Sequence, residues 1–398
     1  MSSHSSDEKF LRRALDLASQ GIGLASPNPC VGAVIADAQG NIAGTGIYTY
    51  AGVKHAEILA LEASASRARG GTLYINLEPH AHHGRTPPCT DALIAAGIRR
   101  VVAAMPDPNP KVSGLGFEKL RAAGVQVDVG QLREPARGLN ENFARYIRHG
   151  VPLVTLKSAM TLDGKIAPPP AVAPNPAAKT QAPNGFSGHW LTGEAARAHA
   201  HQLRHQHDAI LVGIGTVLAD NPLLTDRSGR PRRRPLLRVI LDSQLRLPLD
   251  SQLIRSVKSI TANSSDDRDV VVFTSSADTK KKTELESYGA RVETLPPAPP
   301  NGRPDLATVL RRLGELEITS VMIEGGSTVN GVALAGGVVD KVFFYYAPEI
   351  LGAANAIPFA PDAALRKMSP PTPVKHLRLH RFDEDFAVEG YLRDPYEE

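Results

Sequence analysis

Apolar residues recur at helical spacing near the start of the chain. Phe10, Leu11, Ala14, Leu15, Leu17 and Ala18 mark one face of a helix, and Gly21 ends it. The period then shortens: residues 31–36 read as a strand, Gln39-Gly40-Asn41 as a turn, and 42–48 as a second strand. A helix is predicted over 55–65 and a strand over 72–77. A third helix spans 90–96, ended by Gly97, and a strand covers 100–105. This alternation predicts an α/β layer fold.

The pattern breaks near Arg148-His149-Gly150-Val151-Pro152, and a new strand-type run follows over 153–157. We divide the chain there, into domains of 1–149 and 150–398. The second domain alternates as well. Strands are predicted at 209–212, 237–241, 270–274 and 320–323, with helices near 194–205 and 306–316. Residues 168–186 are rich in Pro and Ala and lack a period, which suggests an extended surface insertion. Residues 256–269 and 296–304 read as loops, and no internal repeat is visible.

Composition narrows the class. Hydrophobic residues make up 42% and charged residues 22%, as in a globular protein that needs more than one core. A net charge of +4 suits anionic small molecules and gives no support for nucleic acid binding. Two cysteines, Cys30 and Cys89, exclude a disulfide framework and fit a reducing cytoplasm. The N-terminus lacks the apolar core of a signal peptide, and no apolar run is long enough to span a membrane.

Candidate chemistry lies between His55 and Cys89. His55-Ala56-Glu57 opens a predicted helix, Glu78-Pro79-His80 follows a strand, and Pro87-Pro88-Cys89 precedes another helix. This is the layout of a zinc nucleobase deaminase with histidine in place of one cysteine. Zinc takes nitrogen and sulfur ligands, and a catalytic site keeps one position for water. His55, His80 and Cys89 are the candidate ligands. Glu57, two residues after the first, is the non-ligating acid–base group. His80 has three readings. It binds zinc as a second imidazole; or it fails to reach, so that His82 or His83 replaces it or zinc affinity falls; or the first domain is a remnant beside a working second one.

The residues resemble a known family. Residues 78–96 read EPHAHHGRTPPCTDALIAA, 107–110 read DPNP, and Asn28-Pro29 precedes Val31-Gly32. The second domain carries Leu156-Lys157, Leu162-Asp163-Gly164-Lys165, Trp190-Leu191-Thr192, ILVGIGTVLADNP over 210–222 and Glu324-Gly325-Gly326-Ser327. Together these resemble the RibD family of bifunctional riboflavin-biosynthesis enzymes, over about Phe10 to Leu392. The family has Cys-Ser where His80-Ala81 stand, and a serine where Gly188 stands, with Ser187 one residue earlier.

The resemblance implies a cytidine-deaminase-like three-layer α/β/α domain followed by a dihydrofolate-reductase-like α/β domain. It implies zinc and NADPH as cofactors and a pyrimidine ribosyl phosphate as substrate. Hydrolytic deamination of 2,5-diamino-6-ribosylamino-4(3H)-pyrimidinone 5′-phosphate would precede reduction of the ribosyl chain to ribityl. By the same resemblance Asn28 holds the pyrimidine. Arg85 is a candidate partner of the substrate phosphate, as an arginine among ligand positions. Ala159, Trp190, Thr192, Thr216, Asp220, Ser243, Gly326, Ser327 and Thr328 line the cofactor site. Lys157, Arg204, Leu224, Arg227 and Glu324 face the substrate. Reduction needs a proton donor, for which Lys157, Asp220 and Glu324 are candidates. A homo-oligomer is expected on the same grounds, with neither nucleic acid nor membrane as partner.

Two features are read as bland. His199, His201, His205 and His207 are assigned to a solvated helix face, and the basic run 230–238 to a solvated loop. Two other functions remain in view. One is a reductase with an inactive deaminase half. The other is a non-catalytic nucleotide- or RNA-binding protein, for which an aromatic-rich basic face is missing.

Overall fold

The structure is a computed structural model that describes residues 3–84, 86–169, 190–257, 268–299, 301–362, 368 and 371–397. The chain divides into two compact units. One is Met1–Val151 with Pro231–Arg234 and Glu398; the other is Pro152–Arg230 with Pro235–Glu397.

In the first unit α1 (Ser3–Ser19) leads to β1 (Gly32–Ala36) and β2 (Ile42–Ile47). Then α2 (Ala56–Ser64), β3 (Thr72–Ile75), α3 (Cys89–Ala95) and β4 (Arg100–Ala103) follow. The unit continues through α4 (Leu115–Ala122) and β5 (Gln126–Val129) to α5 (Arg133–His149). The strand order is β2-β1-β3-β4-β5, with β1 antiparallel to β2 and β3, and β3, β4 and β5 parallel. Side chains alternate across this sheet. Ala33, Ile35, Leu73, Ile75, Val101 and Ala103 form one core with Ala56, Ala60, Leu93, Phe117 and Leu120. On the opposite face Gly32 backs onto α1, giving a helix–sheet–helix sandwich.

Two glycines of β2 seat α2. A Cβ on Gly46 would lie 2.0 Å from the Ala56 carbonyl oxygen, and one on Gly44 would lie 2.3 Å from that of Ala60. Only a residue without Cβ lets the helix backbone rest on the strand. The first turn of α2, which carries Glu57, is placed by that contact.

The second unit contains β6 (Leu153–Thr161), β7 (Lys165–Ala167), α6 (Glu194–Gln206), β8 (Ala209–Gly213), α7 (Ile214–Asp220) and β9 (Leu237–Leu241). Next come α8 (Gln252–Arg255), β10 (Val270–Thr274), α9 (Thr279–Ser287), β11 (Arg291–Thr294), β12 (Pro297–Ala298), β13 (Arg303–Pro304) and α10 (Leu306–Glu315). It ends with β14 (Ser320–Ile323), α11 (Ser327–Ala335), β15 (Lys341–Ala347), β16 (Ile357–Pro358), β17 (Lys375–Phe382) and β18 (Asp385–Tyr391). A nine-stranded sheet runs β11-β10-β9-β8-β14-β6-β15-β18-β17. It is parallel from β11 to β15, and β18 and β17 add antiparallel. Leu156, Leu211, Val239 and Val271 pack against Leu306, Val309 and Leu313. Ile210, Ile240 and Val272 pack on the other face with Val217, Leu253 and Leu285. Strands buried on both faces explain the short, continuously apolar runs in the sequence.

Several expectations change. The loop expected over 296–304 contains β12 and β13, which pair as a small antiparallel ribbon. The basic run is not simply solvated. Arg233 stacks 3.4 Å from the Tyr50 ring centroid and donates to the Ser26 carbonyl at 2.7 Å. Arg238, its side chain 1% exposed, pairs with Asp269 at 2.8 Å. Residues 170–189, covering most of the expected insertion and Ser187 and Gly188, lie outside the described residues, as do 258–267. No helix among the described residues is long and apolar enough to cross a membrane.

Candidate active sites

Three segments converge in the first unit. His55 is the N-cap of α2, His80 stands in the loop after β3, and Cys89 is the first residue of α3. Their candidate ligand atoms all lie within 4.8 Å of one another. His55 Nδ1 is 3.1 Å from Cys89 Sγ, and its Nε2 is 3.2 Å from Thr86 Oγ1. The threonine thus orients the ring from its far side, as outer partners of metal-binding histidines do. His80 Nδ1 is buried with no hydrogen-bond partner among the described residues. This nitrogen is also the nearer of the two to the backbone, which limits the reach lost when imidazole replaces a thiol. His82 and His83 are exposed, and neither joins the converging trio.

Burial drives each group toward its neutral form. It depresses His80 to about 4, with His82, His55 and His83 adding to the effect. It raises Cys89, and the Glu57 carboxylate beside the thiol raises it further. It raises Glu57, 3% exposed, against the opposing influence of His55. Two imidazoles and a thiol with an orphaned nitrogen suit a divalent cation, whose charge would reverse the bias at Cys89. The residues present fit zinc.

The surroundings combine residues of the sequence motifs with Tyr48, Asn76 and Asn140, which carried no sequence signal. Asn28 Nδ2 donates to Tyr48 Oη at 2.5 Å, and the Tyr48 ring meets His55 edge-on, with centroids 5.7 Å apart. Asn140 and Asn76, both buried, hold the backbone of Cys30 and Gly32 behind this loop. Glu78 accepts four backbone N–H groups: Asp107 at 3.0 Å, Gly114 at 2.8 Å, Gly116 at 2.8 Å and Phe117 at 3.3 Å. It thereby ties the DPNP segment and the start of α4 to the residue two before His80. Arg85 lies outside the described residues.

In the second unit the register does the assembling. Leu156 of β6 stands opposite Ile323 of β14, so Lys157 and Glu324 emerge side by side. Lys157 Nζ is 3.6 Å from Glu324 Oε2 and 5.6 Å from the Tyr345 ring centroid. Arg204 binds Glu324 through Nε at 2.7 Å and Nη2 at 3.0 Å, and donates to the Thr225 carbonyl at 3.1 Å. Burial pushes the Glu324 carboxyl up, but Lys157 and Arg204 outweigh it and hold the group at about 2. Asp220 is exposed at the end of α7. Leu224 turns its side chain into the core with a backbone φ of 54°.

The cofactor candidates are brought together only in part. Gly326 caps α11, and a Cβ there would lie 3.6 Å from Thr216 Oγ1, so the first turn of α7 lies against the start of α11. Ser327 and Thr328 form the first turn of α11, while Ser243 follows β9 on the same, carboxyl-terminal edge of the parallel strands. Ala159 lies on β6 opposite Tyr345. Thr192 is buried, and its carbonyl accepts from Arg197. Trp190 is 67% exposed, with the Arg197 guanidinium 5.6 Å from its ring centroid.

The solvated-face reading of the histidine-rich helix does not hold. His205 and His207 are buried, and His199 packs among Phe343, Tyr345 and Phe382. The residue type had suggested solvent; the hydrogen-bond partners Tyr345, Asp226 and Thr155 come from distant elements.

Comparison with known proteins agrees with both units. Residues 4–105 match the cytidine and deoxycytidylate deaminase zinc-binding region, and 152–388 match the RibD C-terminal domain. The riboflavin biosynthesis protein RibD of Actinobacillus pleuropneumoniae is 42% identical over 88% of this chain and 86% of its own. That of Aquifex aeolicus is 38% identical over 96% of this chain and 97% of its own. A solved structure from Thermotoga maritima is described as a diaminohydroxyphosphoribosylaminopyrimidine deaminase/5-amino-6-(5-phosphoribosylamino)uracil reductase. It is 36% identical and superposes with a TM-score of 0.78 over 98% of this chain and 99% of its own.

Fold and sites together define a two-domain enzyme, a zinc-type deaminase followed by a reductase. The chain belongs to the RibD family of bifunctional riboflavin-biosynthesis enzymes.

Proposed function

We propose that residues 1–149 deaminate 2,5-diamino-6-ribosylamino-4(3H)-pyrimidinone 5′-phosphate hydrolytically. Residues 150–398 then reduce the ribosyl side chain, giving 5-amino-6-ribitylamino-uracil 5′-phosphate. The observation that carries the first reaction is the buried Nδ1 of His80, without a partner among the described residues, beside His55 and Cys89. The cofactors are zinc and NADPH.

His55, His80 and Cys89 hold the zinc, which supplies the Lewis acidity that makes water a nucleophile near neutral pH. With that water in place, Glu57 would take one of its protons at the carboxylate and pass it to the ring nitrogen, then take the remaining hydroxyl proton and pass it to the amino group, which would leave as ammonia. The burial of Glu57 favours the protonated form, which suits a group that must hold a proton in mid-reaction. Asn28 and Tyr48 fix the pyrimidine next to His55.

In the second domain NADPH supplies the hydride. Glu324, with its carboxyl at about 2, stays ionised and anchors Lys157 and Arg204. That leaves Lys157 as the proton donor to the sugar, since Asp220 lies at the exposed end of α7. Arg204 and Arg227 take the substrate phosphate, and the turn from Gly326 to Thr328 takes the cofactor pyrophosphate with its backbone amides. We place the enzyme in the cytoplasm as a homo-oligomer, with Cys30 and Cys89 reduced.

Metal analysis paired with ammonia-release and NADPH-oxidation assays tests these assignments. The expected result is one zinc per chain and both activities. Glu57→Gln should lower ammonia release by about 10²–10⁴-fold, the range of a general acid–base group. Native protein without zinc that gains metal and ammonia release only as His80→Cys would leave a reductase alone. Folded protein that oxidises no NADPH with the deaminated substrate would remove the reductase assignment.

A further inference from the structure

Lys157 has neighbours on both sides of its strand. β6 runs between β14 and β15, and Lys157 stands opposite Phe343 of β15. Tyr345, two positions on, shares that face of the sheet. The Lys157 ammonium lies over the Tyr345 ring, 5.6 Å from its centroid, and 3.6 Å from Glu324 Oε2. One cation is thus held between a carboxylate that follows β14 and an aromatic ring on β15.

The two contacts differ in kind. At 3.6 Å the carboxylate holds the lysine chiefly by charge, without a fixed direction. A flexible four-carbon stem needs a second constraint to keep its end in one place. The ring face supplies it: it attracts a cation through its quadrupole and offers no basic atom to the proton. A proton donor can be held there and still give its proton elsewhere.

Tyr345 is itself fixed. It is 1% exposed and packs against Phe343 and Phe382, with ring centroids 5.0 and 5.6 Å away. Its Oη lies 2.7 Å from His199 Nδ1. Burial pushes the hydroxyl up, and Glu324 and Glu389 add to the rise, so the ring stays a neutral phenol. Burial and His380 keep His199 neutral as well, against Glu389. Helix α6 carries both His199 and Arg204. One helix therefore steadies both flanks of the lysine, the tyrosine through His199 and the carboxylate through Arg204.

We propose that Tyr345 is a positioning residue of the reductase, whose ring face, braced by His199, fixes the Lys157 ammonium against Glu324 for proton donation. This rests on the reading of Lys157 as the proton donor. Tyr345 acts through the lysine alone, so removing its ring should cost nothing once the lysine is gone.

The experiment uses the full chain with NADPH and the deaminated substrate, with rates taken per NADPH-binding site so that unfolded protein does not count. Lys157→Met should lower kcat about 100-fold or more. Tyr345→Leu should lower kcat about tenfold, with both KM values within about twofold, as expected for a desolvated cation–π contact. Tyr345→Phe, which keeps the ring, should retain kcat within about twofold. Added to Lys157→Met, Tyr345→Leu should have no further effect, whereas a general loosening of the fold would lower both backgrounds by the same factor. If Tyr345→Leu does not fold, a ring-fluorinated phenylalanine at the same position replaces it. That residue keeps the shape and removes the negative ring face, and its kcat should fall about fivefold below that of Tyr345→Phe. Unchanged kcat without the ring, equal rates for the two phenylalanines, or an equal loss with and without Lys157 overturns the positioning role and leaves the lysine as donor. Full kcat in Lys157→Met removes the donor reading and the proposal with it.

Discussion

The deaminase and reductase sites both bury polar groups and treat their charge in opposite ways. Around His55, burial suppresses ionisation at His80, Cys89 and Glu57 alike, and one nitrogen has no partner among the described residues. Around Glu324 the charges are kept. A carboxylate whose side chain is 11% exposed is gripped by Arg204 and faced by Lys157. The first site is shaped to receive a cation from outside, and the second balances itself with charges from its own sequence. Residue lists alone would not separate them; hydrogen-bond satisfaction does.

The contrast can be broken most sharply by removing the metal. Treatment with a chelator should take ammonia release to background and leave NADPH oxidation unchanged in the same sample. Parallel loss of both activities would mean that the second site also depends on the metal. Next in size is Glu324→Ala. It strands two cations, and losing one partner of a buried pair costs about 3–5 kcal/mol. Urea unfolding of the full chain should show that loss in the transition of the second domain, with the first unaffected. A neutral result would show that Arg204 and Lys157 find other partners.

The smallest effect concerns Asp107, in the DPNP segment of the first domain. Burial raises its carboxyl to about 6, the Asn109 amide opposing and Glu78 adding to the rise. A carboxyl raised on folding contributes stability below its ordinary value near 3.8, and that contribution is lost as pH climbs through about 6. Asp107→Asn should therefore raise Tm relative to the parent increasingly from pH 4 to pH 7, then by a constant amount. A difference that is flat over this range would place the carboxyl in its ordinary ionised state.

The parts legible in the sequence were those with a strong period or a fixed spacing. Strands over 237–241, 270–274 and 320–323 emerge with the bounds their apolar runs suggest, because central parallel strands are apolar throughout. Helices α4 and α5 gave no start signal: they are preceded by Gly114 and Leu132 in the left-handed region, and neither has a side-chain cap. Strand β17 was hidden for another reason. It lies at the sheet edge, and Leu377 and Leu379 are exposed there, so burial imposes no alternation. At the first site the three candidate ligands could be found by spacing. Tyr48, Thr86 and Asn140 could not, because their partners are set by tertiary contact. The four histidines of 199–207 were misjudged because a polar side chain was equated with a wet one.

Glu78 has a consequence for how such a site can change over time. Four backbone amides fasten it in place, and Cys89 is fixed in turn by the start of α3. The stretch between them hangs from two anchors that do not depend on the identity of residue 80. A swap of sulfur for imidazole there asks only for side-chain reach, with the backbone path already decided. Anchoring of this kind lets a ligand side chain be exchanged without rebuilding the backbone that carries it.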